Sequence, residues 1–458
     1  MGIGAELKAR LFGKHNAVDS EASAIRGGDI ERWLDIYNGG EWRYTRKGGM
    51  NGGMRKIASP CAAKALCAEL SRLCFTEGTE LICTDCETEA YLKKVLDDNR
   101  FFERFPDFLE KAFALGGGVI KVYLADGEVR MDFITADCFV PTKWDSRGFY
   151  GGAFGSSVYE NGKSCILAET QEITDKGLVI ENKLFSENGR ELDLAEIYPK
   201  MREKTIIKGL TKPLFVYFGT GTGKSRRCPP IGASVYADSE DTLKAIDIVF
   251  DSLTREFVLG KKRIIVPSYA IRGEYDENGD LKRYFNANDE VYEAFSTSDT
   301  EELKITDNTA ALRVTEHVEA LEELLDLLCM QAGLSEGALS FKSGSLRTAT
   351  EVISRNSRTY RTACFYRKMI AKGLSRVAEN ICLLGKMSGE LPQNACETAS
   401  VRFADGVCED EGAKADRVQK LYSNGLISKA RALSEIYGVS LEEAKAMERE
   451  DNNDQRND

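Results

Sequence analysis

Apolar positions along the chain recur first at helical spacing, then at strand spacing, then at helical spacing again. Residues 29–37 (DIERWLDIY) form an amphipathic start, and 57–75 (IASPCAAKALCAELSRLCF) continue with apolar residues three and four apart behind a Ser59-Pro60 start signal. The pattern extends through 87–114 and predicts a helical region up to about residue 115. It breaks at Gly116-Gly117-Gly118, after which residues 119–134 alternate about Asp126-Gly127, a hairpin signal. Further strand-like segments run to about residue 218.

From Asp238 the period returns to 3.6 in SEDTLKAIDIVFDSLTREFVLG, which ends at Gly260 with Lys261, Lys262 and Arg263 beyond it, as suits a helix C-terminus. A short β-rich stretch follows to about residue 311, with Asn278-Gly279 as its turn. A second helix is predicted over 314–332, with Val314, Val318, Leu321, Leu325, Leu328 and Ala332 on one stripe. Beyond the Gly/Ser-rich GLSEGALSFKSGS, Thr348 and Glu351 form a capping box for a helix over about 349–387, which would span ~55 Å and bend at Gly373. A strand over 400–406 and helices over 410–424 and 428–450 complete the prediction. The polar tail DNNDQRND is expected to be disordered.

Composition narrows the chemistry. No run approaches the roughly 18 apolar residues of a membrane span, and the first residues have no apolar leader ahead of a cleavage site. The protein is therefore expected to stay in the cytoplasm where it is made. The 13 cysteines are odd in number and scattered, and Cys61, Cys67 and Cys74 fall inside a helical run, so reduced thiols are expected. Two histidines, His15 and His317, leave little for histidine-based catalysis or metal binding. A net charge of −11 is the opposite of what tight phosphate binding requires.

Four stretches in order, Ile30–Asn38, Pro230–Pro267, Leu334–Thr362 and Gly425–Ala444, resemble the portal proteins of long-tailed phages of Gram-positive bacteria. The resemblance implies an α+β portal fold: a wing over 1–237, a first stem helix over 238–260, a clip over 261–312 and a second stem helix over 313–332. A tunnel loop over 333–347, further wing over 348–407, a short crown over 408–450 and the tail 451–458 follow. It also implies a non-enzymatic dodecameric ring in the virion, assembled in the host cytoplasm at one capsid vertex. Such a ring conducts double-stranded DNA during packaging and ejection, and docks the large terminase and the neck adaptor. Major capsid and scaffolding proteins are the other implied partners, with no membrane and no cofactor.

Within that frame, Lys342, Ser343, Ser345 and Arg347 of the tunnel loop are candidates for DNA contact, because small residues give mobility and the two cations reach phosphates. Glu240, Asp241, Asp247 and Asp251 of the first stem helix are candidates for the channel wall or for intersubunit positions. Arg355, Arg358 and Arg361, with Arg367 and Lys368 beside them, form a basic face suited to the same two roles. An acidic channel wall would let DNA slide.

Other motifs carry less. Gly219-Thr-Gly-Thr-Gly-Lys224-Ser225 resembles a phosphate-binding loop, but its spacing needs Gly where Phe218 stands, and Pro229-Pro230 follow where a helix should open. Cys83-Thr-Asp-Cys86 has zinc spacing without a second ligand pair. Glu301-Glu302 and the set Glu319, Glu322, Glu323 and Asp326 suggest metal or acid–base chemistry at first sight, but helical spacing makes the second set a solvated or intersubunit face. The rival readings are a P-loop ATPase or nuclease of the packaging motor, and another neck or tail ring protein. Purified protein is expected to release no phosphate from ATP. Lys224→Ala should leave packaging in an extract unchanged, and an ATPase activity lost on that substitution would establish the rival.

Overall fold

A computed structural model describes residues 17–39, 42, 44–46, 54–75, 78–83, 85–160, 163–186, 188–221, 231–260, 311–340 and 349–403 except 397. It also describes the short stretches 264–265, 273–275, 281–283, 306–307, 418–425 and 427–437, and residue 444. Four helices come first: α1 (Ala17–Asn38), α2 (Ala62–Cys74), α3 (Cys86–Asp98) and α4 (Phe101–Leu115). The main strands are β1 (Gly117–Ala125), β2 (Glu128–Thr135), β3 (Phe139–Asp145), β4 (Gly148–Glu160), β5 (Lys163–Thr174), β6 (Gly177–Ser186) and β7 (Phe215–Gly219). Three long helices follow: α5 (Glu240–Leu259), α6 (Val314–Gln331) and α7 (Ala349–Ser388). Helices and antiparallel sheets are segregated along the chain, which makes the fold α+β.

The chain divides into two compact units: residues 1–41, 61–243 and 325–458 form the first, and 42–60 with 244–324 the second. In the first unit a six-stranded antiparallel sheet contains β3 to β6 in sequence order, and β7, β1 and β2 form a separate three-stranded sheet in that spatial order. Asp126 and Gly127, both at positive φ (51° and 86°), make the tight turn between β1 and β2, where Ala125 pairs with Glu128. The expected hairpin is therefore present.

The core is aromatic on both faces of the small sheet. On one, α4 presents Phe101, Phe105 and Phe108, whose rings pack with Phe75, Phe133 and Phe218. On the other, Phe139, Phe149 and Phe154 meet Phe215 and Tyr217. Helix α7 runs unbroken through Gly373, where the backbone approaches closely: a Cβ there would lie 2.3 Å from the Phe218 ring. Burial pushes the Cys74 thiol up to about 12 and raises that of Cys67 well above its ordinary value, so both behave as small apolar side chains.

In the second unit, residues 42–60 group with α5 beyond Lys244 and with the start of α6, although the sequence places them with the rest of 1–237. Short strands 44–46 and 54–56 pair within this segment. Of the expected β module, Ile264–Ile265 pairs with Thr306–Asp307, and Gly273–Tyr275 with Leu281–Arg283. The expected Asn278-Gly279 turn lies outside the described residues.

Gly116 ends α4 at φ 83°, and a Cβ there would stand 2.4 Å from the Gly232 carbonyl oxygen, so backbone strain and steric conflict coincide. Gly127 has a similar φ, 86°, but open space around it. Gly116→Ala is therefore expected to cost about 2 kcal/mol more than Gly127→Ala, which carries only the conformational term. Urea unfolding of the two variants measures the difference, and equal losses would refute the steric account.

Candidate functional site

The stretch of α5 beyond Lys244 carries Asp247 and Asp251 one helical turn apart on the same face. Both are buried, at 3% and 7% exposure, and both are satisfied by the 42–60 segment of the same chain. Trp42 Nε1 donates to Asp247 Oδ2 at 3.0 Å, and the Ser59 hydroxyl donates to Asp247 Oδ1. Arg55 clamps Asp251 with two N–H···O bonds of 2.7 and 2.6 Å, and the Ala58 amide adds a third at 3.0 Å. These bonds, the Arg55 pair first among them, hold the Asp251 carboxyl below the usual carboxylate range.

Asp247 and Asp251, expected at a channel wall or an intersubunit contact, spend their acceptor capacity inside the chain, where burial demands it. Glu240 is half-buried as well, paired with Arg32 at 3.1 Å and accepting from Trp33 Nε1 at 3.2 Å. Asp241 is exposed. Of the four stem carboxylates it alone presents an open face in the single chain.

The facing ends of α5 and α6 are tied where the 261–311 segment leaves and returns. Arg313 donates through Nε and Nη2 to Glu256 at 3.2 and 3.1 Å, and its own amide reaches the same carboxylate at 3.3 Å. The Arg313 bonds lower the Glu256 pKa. Gly260 allows Leu312 to close against the chain, since a Cβ there would meet Leu312 Cδ2 at 2.2 Å. His317 Nδ1 donates to the Arg313 carbonyl oxygen at 2.5 Å, and Nε2 lies within hydrogen-bond distance of Ser252 Oγ at 2.9 Å. The ring is oriented by a backbone carbonyl rather than a carboxylate, so the Ser252–His317 contact lacks the third member of a hydrolytic triad.

The stretch after α6 is pinned at its start. Gly333 at φ 78° turns the chain out of the helix, its carbonyl accepting from Thr362 Oγ1 at 2.6 Å. Ser335 N and Thr359 Oγ1 meet at 2.9 Å, and Gly337 N bonds Asp326 Oδ1 at 2.7 Å. Lys342, Ser343, Ser345 and Arg347 lie outside the described residues. On α7, Arg358 and Arg361 are exposed, Arg361 Nε returning to the Ser357 carbonyl at 3.3 Å, whereas the Arg355 side chain is outside the described set. Arg367 departs from the expected basic face: it is 9% exposed, donates to the Leu73 carbonyl and lies over the Phe403 ring.

The phosphate-loop look-alike is accounted for by packing. Phe218, standing where that motif needs glycine, is 6% exposed in the aromatic core. Thr220 is buried and donates to the Ala233 carbonyl at 2.6 Å. Residues 231–239 are loop and turn, and the next helix begins only at Glu240. Lys224 lies outside the described residues. Asp85, inside the CxxC stretch, caps α3 by accepting from the Glu87 amide, with Cys83 half-buried and Cys86 exposed.

Asp251→Asn is expected to remove about 2 kcal/mol of stability at neutral pH, because it weakens the Arg55 clamp and leaves that guanidinium short of an acceptor. The native carboxyl titrates below its unfolded value of about 3.9, so its contribution is full above that pH and fades as pH falls through the folded pKa. The gap between parent and variant should therefore close below about pH 4 in urea titrations followed by tryptophan fluorescence. A gap that persists unchanged at pH 3 would show that the clamp is not the source.

Comparison with known proteins finds a family profile and structural likenesses. The sequence profile described as "Phage portal protein, SPP1 Gp6-like" matches residues 213–457, more than half of the chain. No curated protein matches. Among solved structures, a chain from "Virion of native gene transfer agent (GTA) particle" aligns at 11% identity and a TM-score of 0.37, over 83% of this chain and 89% of that one. The matched residues span α5, α6, the β module between them and α7, and on that match the chain belongs to the SPP1 Gp6-like family of phage portal proteins.

Proposed function

We propose that the chain is one subunit of a dodecameric ring at a capsid vertex, through which double-stranded DNA is packaged and later ejected. Residues 238–260 and 313–332 act as its stem, 261–312 as the clip that docks the large terminase and then the neck adaptor, and 333–347 as the tunnel loop. Residues 348–407 join 1–237 in the wing, and 408–450 form the crown. The observation that carries this reading is the uncovered apolar surface on the helices flanking the β module. Ile248, Phe257 and Val258 of α5 and Leu327 and Met330 of α6 are 38–63% exposed in the single chain. An isolated soluble subunit gains nothing from such side chains, whereas copies packed head to tail in a closed ring cover them.

The stem carboxylates support a DNA conduit in a narrower way than their number suggests. With Asp247 and Asp251 internal and Glu240 paired, Asp241 is the one of these four that can face a channel or a neighbour, beside the acids of 316–326 on the second stem helix. Arg358 and Arg361 remain candidates for pairing with an adjacent subunit or for phosphate contact, and Arg355 shares their helix face by spacing. Lys342 and Arg347 act as transient phosphate contacts, few enough to let the duplex move. Energy for translocation comes from the docked terminase.

Negative-stain images of purified protein or of assembled heads are expected to show rings with a central channel. Monomers and dimers alone at micromolar concentration, with no ring in heads, would overturn the reading. Replacing Lys342 and Arg347 together with alanine should leave rings intact and lower DNA retention in filled heads. A double variant that packages and retains DNA like the parent would reduce the tunnel loop to a passive seal.

A further inference from the structure

The first unit contains a cleft of about 870 Å³ that the DNA-conduit reading does not use. One wall is the turn between β3 and β4, contributing Arg147, Phe149 and Tyr150; the other is α7 from Tyr366 to Asn380. The floor comes from β7, which stands at the end of its sheet order, with Phe113 of α4 beside it. The two walls are held apart by the aromatic layers on either face of β7, so the cleft is a consequence of the core and is not a packing defect.

Its charge is the reverse of the chain's. Arg147 on one wall and Lys372 and Arg376, one helical turn apart on the other, are exposed, and among the described residues no carboxylate lies within ion-pair distance of any of them. Only Lys212 at this rim is neutralised, by Glu379 at 2.9 Å. Three unpaired cations facing one apolar cleft is an unusual concentration in a protein of net charge −11.

We propose that the cleft docks an acidic, extended segment of a partner protein in which carboxylates alternate with apolar side chains. In an extended strand alternate side chains point to opposite faces, so one set would enter the aromatic floor while the carboxylates meet Arg147, Lys372 and Arg376. A nucleic-acid backbone would satisfy the cations alone and leave the floor empty. The partner is distinct from DNA, and the proposal stands whether or not the tunnel loop grips the duplex.

The test uses full-length protein and a fluorescein-labelled twelve-residue peptide alternating Glu with Val and Phe, read by fluorescence anisotropy. Saturable binding is expected, weakened about tenfold or more by Lys372→Glu with Arg376→Glu, and similarly by Arg147→Glu. A peptide with Lys for Glu, and one with Ser for every apolar residue, should both fail to bind. The charge reversals lie on exposed positions, and circular dichroism with ring imaging verifies that fold and assembly persist. No saturable binding, binding indifferent to the reversals, or equal binding of the Glu/Ser peptide or of inorganic polyphosphate would overturn the proposal. So would loss of the oligomer on Lys372→Glu with Arg376→Glu, which would make the cleft a contact between copies.

Discussion

Phe218 is the side chain on which the larger unit converges. Its ring meets Phe105 and Phe108 of α4 at centroid distances of 5.8 and 5.9 Å, and it fills the space that a Cβ on Gly373 of α7 would occupy. A strand, a helix from early in the chain and a helix from late in it are therefore registered against one another by a single buried aromatic ring. Aromatic contacts of this kind combine a large buried area with a geometric preference for offset or edge-to-face placement, so they fix orientation as well as proximity. The sheet behind β7, the approach of α7 and the width of the cleft between α7 and the β3–β4 turn all depend on that placement. It also explains why a phosphate-binding loop cannot sit there: its first glycine would vacate the core.

The smaller unit depends on a different kind of interaction. Asp247 and Asp251 are buried carboxylates, and a buried charge is stable only when its acceptor sites are filled. Residues 42–60 fill them with an indole N–H, a hydroxyl, a guanidinium and a backbone amide. The helix α5 thereby buries Asp247 and Asp251, while Ile248, Phe257 and Val258 stay exposed. For a family of ring-forming proteins that partition matters: polar contacts order the subunit, and apolar surface is left over for neighbours. The Arg313–Glu256 tie then fixes the helix ends from which the β module projects.

The length and type of the long helices were legible because an amphipathic period persists for many turns, with a clear stop at Gly260. Turn chemistry was legible at Asp126-Gly127 for the same local reason. The internal partners of the stem acids were not legible: nothing in the spacing of Asp247 and Asp251 distinguishes a solvated carboxylate from one clamped by Arg55, nearly two hundred residues earlier. The close approach of Gly373 to Phe218 was not legible either, because the two stand more than a hundred and fifty residues apart. The expected basic face lost Arg367 in the same way, to the Leu73 carbonyl and the Phe403 ring.

What the sequence determined by itself, then, is everything governed by local periodicity and local backbone chemistry: the order helix, strand, helix, β module, helix, long helix, and the family resemblance that this order and its motifs carry. Those features rest on interactions between residues a few positions apart, whose energetics the chain writes out in full. The tertiary structure decided which polar groups are spent internally and which remain for partners. That sorting depends on pairings across tens to hundreds of residues, where the free energy of a carboxylate or a guanidinium is set by what the fold brings beside it. Asp241 and Asp247 are chemically identical and six residues apart, and only the position of Trp42 and Ser59 in space makes one an open surface charge and the other an anchor.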